Sequence, residues 1–111
     1  MTILDDLQRW YAEHCNGDWE HSFGVSIGTL DNPGWSVEID LAETALQDAT
    51  FREISRLEPE TDWIRCWVEG MKFKGVGDPG KLEEIITMFL AWARAQPTFQ
   101  ADGPASGGSI S

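Results

Sequence analysis

The chain has 111 residues, within the range of one domain, and carries 8 Lys and Arg against 19 Asp and Glu, a formal net charge of −11. That sign opposes nucleic acid and anionic membrane as partners and favours a cationic one. A chain of this length buries roughly two-thirds of its unfolded surface, enough for one core without metal or disulfide staples.

The first ten residues, MTILDDLQRW, lack the basic start and apolar run of a signal peptide. No apolar stretch approaches the roughly 20 residues of a membrane span. Cys15 and Cys66 stand far apart and form no C-x-x-C pair, which reads as reduced thiols in a cytoplasmic protein rather than a secreted disulfide framework.

Residues 2–15 read as an amphipathic helix, with Ile3, Leu4, Leu7, Trp10, Tyr11 and His14 at helical spacing. Thr2 is the expected N-cap, Asp5 and Asp6 suit the positive end of the helix dipole, and Asn16-Gly17 supplies a left-handed stop. Two alternating runs follow. Phe23, Val25 and Ile27 oppose Ser26 and Gly28, then Trp35, Val37, Ile39 and Leu41 oppose Ser36, Glu38 and Asp40, the period of half-buried strands. Between them Asn32-Pro33-Gly34-Trp35 predicts a type II turn, with proline presetting the second position and glycine accepting positive φ at the third.

From Ala42 to Thr61 the pattern loosens into an irregular crossing that ends in Glu58-Pro59-Glu60-Thr61. Alternation returns at Asp62. Ile64, Cys66 and Val68 face one way, Trp63, Arg65, Trp67 and Glu69 the other, and after Gly70 the run Met71, Phe73, Gly75 alternates with Lys72, Lys74, Val76 as a second hairpin arm. Asp78 and Pro79 read as the N-cap and first position of a last helix with an apolar stripe of Leu82, Ile85, Ile86, Phe89, Leu90, Trp92 and Ala93, ended by Gln96-Pro97. The expected fold class is α+β, an antiparallel sheet of about four strands flanked by an N-terminal and a C-terminal helix on one face. Residues 1–97 form the domain, and the Gly-, Ser- and Pro-rich 98–111 read as a flexible tail.

Two clusters stand out as binding candidates. Asp18, Trp19, Glu20 and His21, with Asp31 and Asn32 of the turn, join indole area to carboxylates that suit a cationic protein; the competing account has Trp19 plugging the hairpin mouth while Glu20 and His21 cap backbone groups. Trp63, Arg65 and Trp67 form a row on one strand face, either an interface anchor or a face packed beneath the 42–61 crossing. Metal ligands do not converge, since His14 and Cys15 diverge on a helix and His21 and Cys66 lack paired spacing, so no metal or cofactor is implied. The rival functional readings are a small enzyme using Glu20, His21 and Cys66, and an adaptor domain in a larger complex.

Leu7-Gln8-Arg9-Trp10-Tyr11, Cys15-Asn16-Gly17-Asp18-Trp19-Glu20-His21, Gly24-Val25, Leu30-Asp31-Asn32-Pro33-Gly34-Trp35, Asp62-Trp63-Ile64, Gly77-Asp78-Pro79 and Phe89-Leu90-Ala91-Trp92 together resemble the immunity protein 53 family of bacterial polymorphic toxin systems, over about Leu4 to Ala95. The resemblance implies a small cytoplasmic protein that binds and neutralises a cognate toxin, and it carries over no catalytic residue. Acidity suits a basic toxin such as a nuclease, whose site is built for polyanions. The expected contact surface is acidic and tryptophan-bearing, made from the Trp19 loop, the Asn32 turn and the Trp63 strand.

Overall fold

The structure is a computed structural model that describes residues 2–96; the expected tail lies outside the described residues. Helix α1 spans Ile3–His14 and starts at a capping box. The Asp5 N–H donates to the Thr2 hydroxyl at 3.1 Å and the Thr2 N–H donates to the Asp5 carboxylate at 3.2 Å, so two of the donors orphaned at a helix start are satisfied reciprocally. The helix buries Leu7 and Trp10. Gly17, at φ +97°, then takes the left-handed conformation expected of it, and a short helical turn, α2 (Trp19–Ser22), follows.

The sheet has five strands: β1 (Val25–Leu30), β2 (Gly34–Asp40), β3 (Ile54–Arg56), β4 (Ile64–Glu69) and β5 (Lys72–Gly77), in the order β1-β2-β5-β4-β3. All pairs are antiparallel. Two hairpins thus lie side by side, joined where β2 meets β5. The β4–β5 hairpin closes through Gly70 and Met71 at φ 60° and 59°, the pair of positive φ angles that a two-residue type I′ turn requires. The fifth strand is an addition to the expected four: Ile54-Ser55-Arg56, inside the stretch read as irregular, pairs with Cys66, Arg65 and Ile64.

Helix α3 (Leu82–Ala95) lies across β2 and β5 and against α1, so both helices cover one face as expected. Phe73, Phe89, Ile39, Ile64, Ile85, Ile86, Val37 and Cys66 are sealed between helices and sheet. Each large apolar side chain buried there contributes on the order of 2 kcal/mol. Close approach is possible because Gly75 stands under α3, where a Cβ would run into the Ile85 side chain. The crossing from Ala42 to Phe51 packs on the same side. Leu46 is 3% exposed, Phe51 meets Phe73 and Trp92 edge-on, and the Trp92 indole N–H donates to the Thr50 carbonyl at 2.8 Å. The opposite sheet face is therefore left uncovered by the crossing.

Two local expectations are corrected. Gly34 is not a left-handed turn residue; it is the first residue of β2, paired with Leu30, and the loop is Asp31-Asn32-Pro33 with a cis Asn32–Pro33 peptide. Glycine is required there because the Gly77 carbonyl oxygen occupies the place of a Cβ. Likewise α3 begins at Leu82 with Lys81 at the N-cap, and Asp78 is not its cap. Asp78 accepts the N–H groups of Trp63 (2.9 Å) and Gly80 (2.8 Å), clamping the start of β4 to the end of β5.

Candidate interaction face

Register assigns the uncovered face residue by residue. Across the sheet run Gly28, Ser36, Val76, Arg65 and Ser55 in one row, and Ser26, Glu38, Lys74 and Trp67 in the next, with Asp40, Lys72 and Glu69 completing a third. The β1 end of this face is made of serine and glycine. The β4 end carries the large side chains.

Arg65 lies over the Trp67 ring with its guanidinium carbon 4.0 Å from the ring centroid, and its Nε donates to Glu53 at 2.8 Å. The Trp67 indole N–H donates to the Glu69 carboxylate at 3.1 Å. That bond, with Lys74 at 3.7 Å, holds Glu69 below the usual carboxylate range. Lys72 reaches Asp40 at 3.3 Å and Glu38 at 3.9 Å. Four carboxylates and three cations therefore interleave here. Exposed pairs of this kind contribute roughly 0–1 kcal/mol each, so the lattice adds little to stability.

The indoles divide by what their N–H groups meet. Trp19 donates to the Ala42 carbonyl, Trp35 to Pro79 and Trp92 to Thr50, at 2.9, 2.9 and 2.8 Å, and each bond ties a connection to the body of the domain. Trp67 instead donates to a surface carboxylate. Trp19 is 2% exposed and packs against Trp10, Tyr11, His14 and Phe23. Its geometry is that of the competing account, an indole plug between α1 and the crossing, since an indole is cheapest to bury where a carbonyl takes its N–H.

Around Trp19, Asn16 Oδ1 accepts from the N–H groups of Asp18 and Trp19, both at 2.9 Å, which starts α2. Glu20 receives the amides of Asn16 and Gly17 at 3.0 and 2.9 Å. Hydrogen bonding from its own backbone amide and from those two keeps its carboxyl below the ordinary range. Asp18 and His21 are exposed beside this knot. Asp31 and Asn32 are exposed too, but at the other end of the β1–β2 hairpin, the length of a seven-residue strand away, about 20 Å. The first cluster is thus split between two ends of the molecule. Trp63 is half-buried in register with Arg65 and Trp67, and its backbone N–H and carbonyl are both taken by Asp78.

The chemistry proposed for a Glu20, His21 and Cys66 site is not assembled. Cys66 is fully buried, its Sγ meets the Met88 sulfur at 3.7 Å, and burial pushes its thiol up to about 12. Among the described residues no three His, Cys, Asp or Glu side chains converge as a metal site, and no helix is long and apolar enough to cross a membrane.

Sequence reasoning overlooked Glu38, Asp40, Lys72 and Lys74 on this face. Their parity was the available signal, because Lys72 and Lys74 alternate with Phe73 as Glu38 and Asp40 alternate with Ile39. Charge is also segregated along the chain: no Lys or Arg occurs between Arg9 and Arg52, a stretch holding eight Asp and Glu that builds α2, β1, β2 and the first part of the crossing.

Fold and face define a small antiparallel α+β domain with helices on one side of its sheet and a mixed-charge, tryptophan-bearing face on the other. The family model described as Immunity protein 53 matches residues 4–94, from the first turn of α1 to the last turn of α3. The chain belongs to the immunity protein 53 family. No curated protein and no solved structure matches it. Membership makes the chain an immunity protein, a class whose partner is a cognate toxin.

Proposed function

We propose that this immunity protein neutralises its toxin by covering it with the uncovered sheet face, from the anionic β1–β2 side to Trp67 on β4, without performing chemistry. The observation that carries the reading is the Arg65–Trp67 stack. It is a half-exposed indole and guanidinium pair on a face that neither the helices nor the crossing shelters, the residue types that dominate binding energy at protein interfaces. Asp18, His21, Asp31 and Asn32 sit at the two ends of the same hairpin as peripheral contacts, with Trp63 beside Arg65. Glu20 and Trp19 contribute by holding the loop that presents Asp18 and His21.

The net charge of −11 and its concentration on the β1–β2 side suit a basic toxin acting in the cytoplasm, because complementary fields speed encounter and disfavour wrong partners. An inhibitor of this kind works by occlusion. A Cys66 thiol that is fully buried and pushed up to about 12 is a poor nucleophile near neutrality, which favours the binding reading over the enzyme one.

Co-expression with the cognate toxin, sought in the adjacent reading frame, tests the proposal. Protected growth and a complex that survives gel filtration are the expected results. Growth arrest unchanged by the immunity protein would overturn it.

A further inference from the structure

The two edges of the sheet are built differently. At one, β3 has three residues, includes Arg56 and follows Glu53, the short and charged construction that discourages further pairing. At the other, β1 reads Val25-Ser26-Ile27-Gly28-Thr29-Leu30, with neither a charge nor a proline, in unbroken register with β2 from Val25↔Ile39 to Leu30↔Gly34. Ser26, Ile27, Gly28 and Thr29 are all exposed, Ile27 at 42%. Among the described residues no strand of the sheet lies beyond them.

The polarity of this edge follows from one bond. Asp40 N–H donates to the Gly24 carbonyl at 3.0 Å, and the alternation of an antiparallel ladder then turns the N–H and C=O groups of Val25, Ile27 and Thr29 away from β2. Three donors and three acceptors therefore line the rim. Beside it, on the helix side, a hollow of ≈ 440 Å³ is lined by Leu7, Gln8, Tyr11, Phe23, Gly24 and Val25. A side chain opposite Val25 on an added strand points to the same face as Val25, into that hollow.

We propose that β1 is an acceptor edge to which an extended segment of the cognate toxin adds as a further strand, one apolar side chain seated in the Tyr11 hollow. The proposal rests on the immunity reading above and names where the toxin's backbone meets this chain. Main-chain bonds supply affinity in such augmentation, and pockets for alternate side chains supply specificity. Charge chooses the occupant. The stretch between Arg9 and Arg52 has eight carboxylates and no Lys or Arg. Lys72 meets Glu38 and Asp40 among them, but Asp18 and Asp31 stand exposed at the two ends of β1, so a basic segment is attracted while a second copy, carrying the same carboxylates, is repelled.

The experiment uses the full chain and the toxin that it protects against in co-expression, with amide hydrogen exchange followed by NMR in the free chain and in the complex. The Val25, Ile27 and Thr29 amides exchange fast in the free chain and slow by at least about tenfold in the complex. Ile27→Pro removes one outward donor and leaves the β2 ladder intact, and weakens binding by about tenfold or more. Should Ile27→Pro fail to fold, Ile27→Lys, the charge that natural edges use against pairing, gives the same loss. A complex in which the three amides exchange as in the free chain overturns strand addition and leaves the immunity reading standing. Absence of both complex and protection overturns the two together.

Discussion

The guanidinium of Arg65 rests 4.0 Å above the ring of Trp67, and the indole N–H of Trp67 is held by the carboxylate of Glu69. Three residues of one strand, at spacing two, thereby fix an aromatic plate in one orientation on an uncovered sheet. A plate fixed in advance loses little side-chain entropy when a partner covers it. Trp67→Ala is expected to weaken toxin binding by about 2 kcal/mol or more, roughly 30-fold, as a central anchor does. It should shift the stability of the free domain by no more than about 1 kcal/mol, because the ring is half-exposed and its neighbours remain solvated. Calorimetric titration beside a thermal melt separates the two effects, and equal binding by the variant would remove Trp67 from the interface.

Trp19→Ala has the opposite profile. The ring is 2% exposed and its N–H holds the Ala42 carbonyl at 2.9 Å, so truncation leaves a cavity and an unmet carbonyl, costing about 3–5 kcal/mol. Trp19→Phe keeps most of the volume and loses the bond, with an expected cost of about 1–2 kcal/mol. Urea denaturation measures both. A Trp19→Ala protein as stable as the parent would return Trp19 to the surface.

The alternation of residues 25–41 and 62–76 places four strands and their inward faces correctly because a two-residue period survives any amount of tertiary context. β3 escaped because Ile54-Ser55-Arg56 is too short to show a period, and it is a strand only through its neighbour β4. Trp19 was ambiguous for a physical reason. An indole beside a loop has the same local sequence whether it plugs a core or greets a partner, and what decides is the Ala42 carbonyl 23 residues away. Asp78 misled similarly, since an aspartate before a proline reads as a helix cap while its acceptors were claimed by Trp63 and Gly80. The face residues Arg65 and Trp67 were legible as a row; that neither the helices nor the crossing shelters them depends on the crossing packing with α3 instead.

Asp62, Asp78 and Lys81 form a cluster that links stability to pH. Lys81 Nζ lies 2.6 Å from Asp62 and 2.8 Å from Asp78. Hydrogen bonding to Lys81 is the first cause that holds both carboxyls below their ordinary value of 3.8, and hydrogen bonding to Asp62, then Asp78, raises Lys81 above 10.5. A lowered carboxyl stabilises the fold above its unfolded pKa and loses that contribution as pH falls through the folded one. A raised lysine stabilises below its unfolded pKa, and its share is lost as pH climbs through the folded value. Melting temperature should therefore fall below about pH 4 and again above about pH 10.5. Asp78→Asn lowers the melting temperature near neutrality and flattens the acid limb; a profile that keeps its acid slope would shift the cause to other carboxyls such as Glu20 and Glu69.

Thiol chemistry separates the two cysteines. Cys15 is partly exposed at the end of α1, whereas Cys66 is fully buried and pushed up to about 12. An alkylating reagent at pH 8 should modify one thiol in the native protein and both in concentrated urea, because the thiolate is the reactive form. Mass spectrometry counts the adducts. Cys66→Ala should retain toxin protection at a modest stability cost, about 1 kcal/mol for a small core side chain, and loss of protection at full stability would revive a thiol-dependent mechanism.

Gly34 offers a test of why a glycine stands beside a turn. A left-handed requirement and a steric one predict different substitution series. Asparagine tolerates positive φ far better than alanine does, so a turn glycine is replaced more readily by asparagine. A glycine kept small by the Gly77 carbonyl rejects any Cβ, and the Gly34 backbone here has no positive φ while that carbonyl fills the Cβ position. Gly34→Ala and Gly34→Asn should thus destabilise alike, by about 1–3 kcal/mol, since the β2–β5 ladder must part to admit the new atom. Chemical denaturation of the pair decides it, and a Gly34→Asn protein clearly more stable than Gly34→Ala would restore the left-handed account.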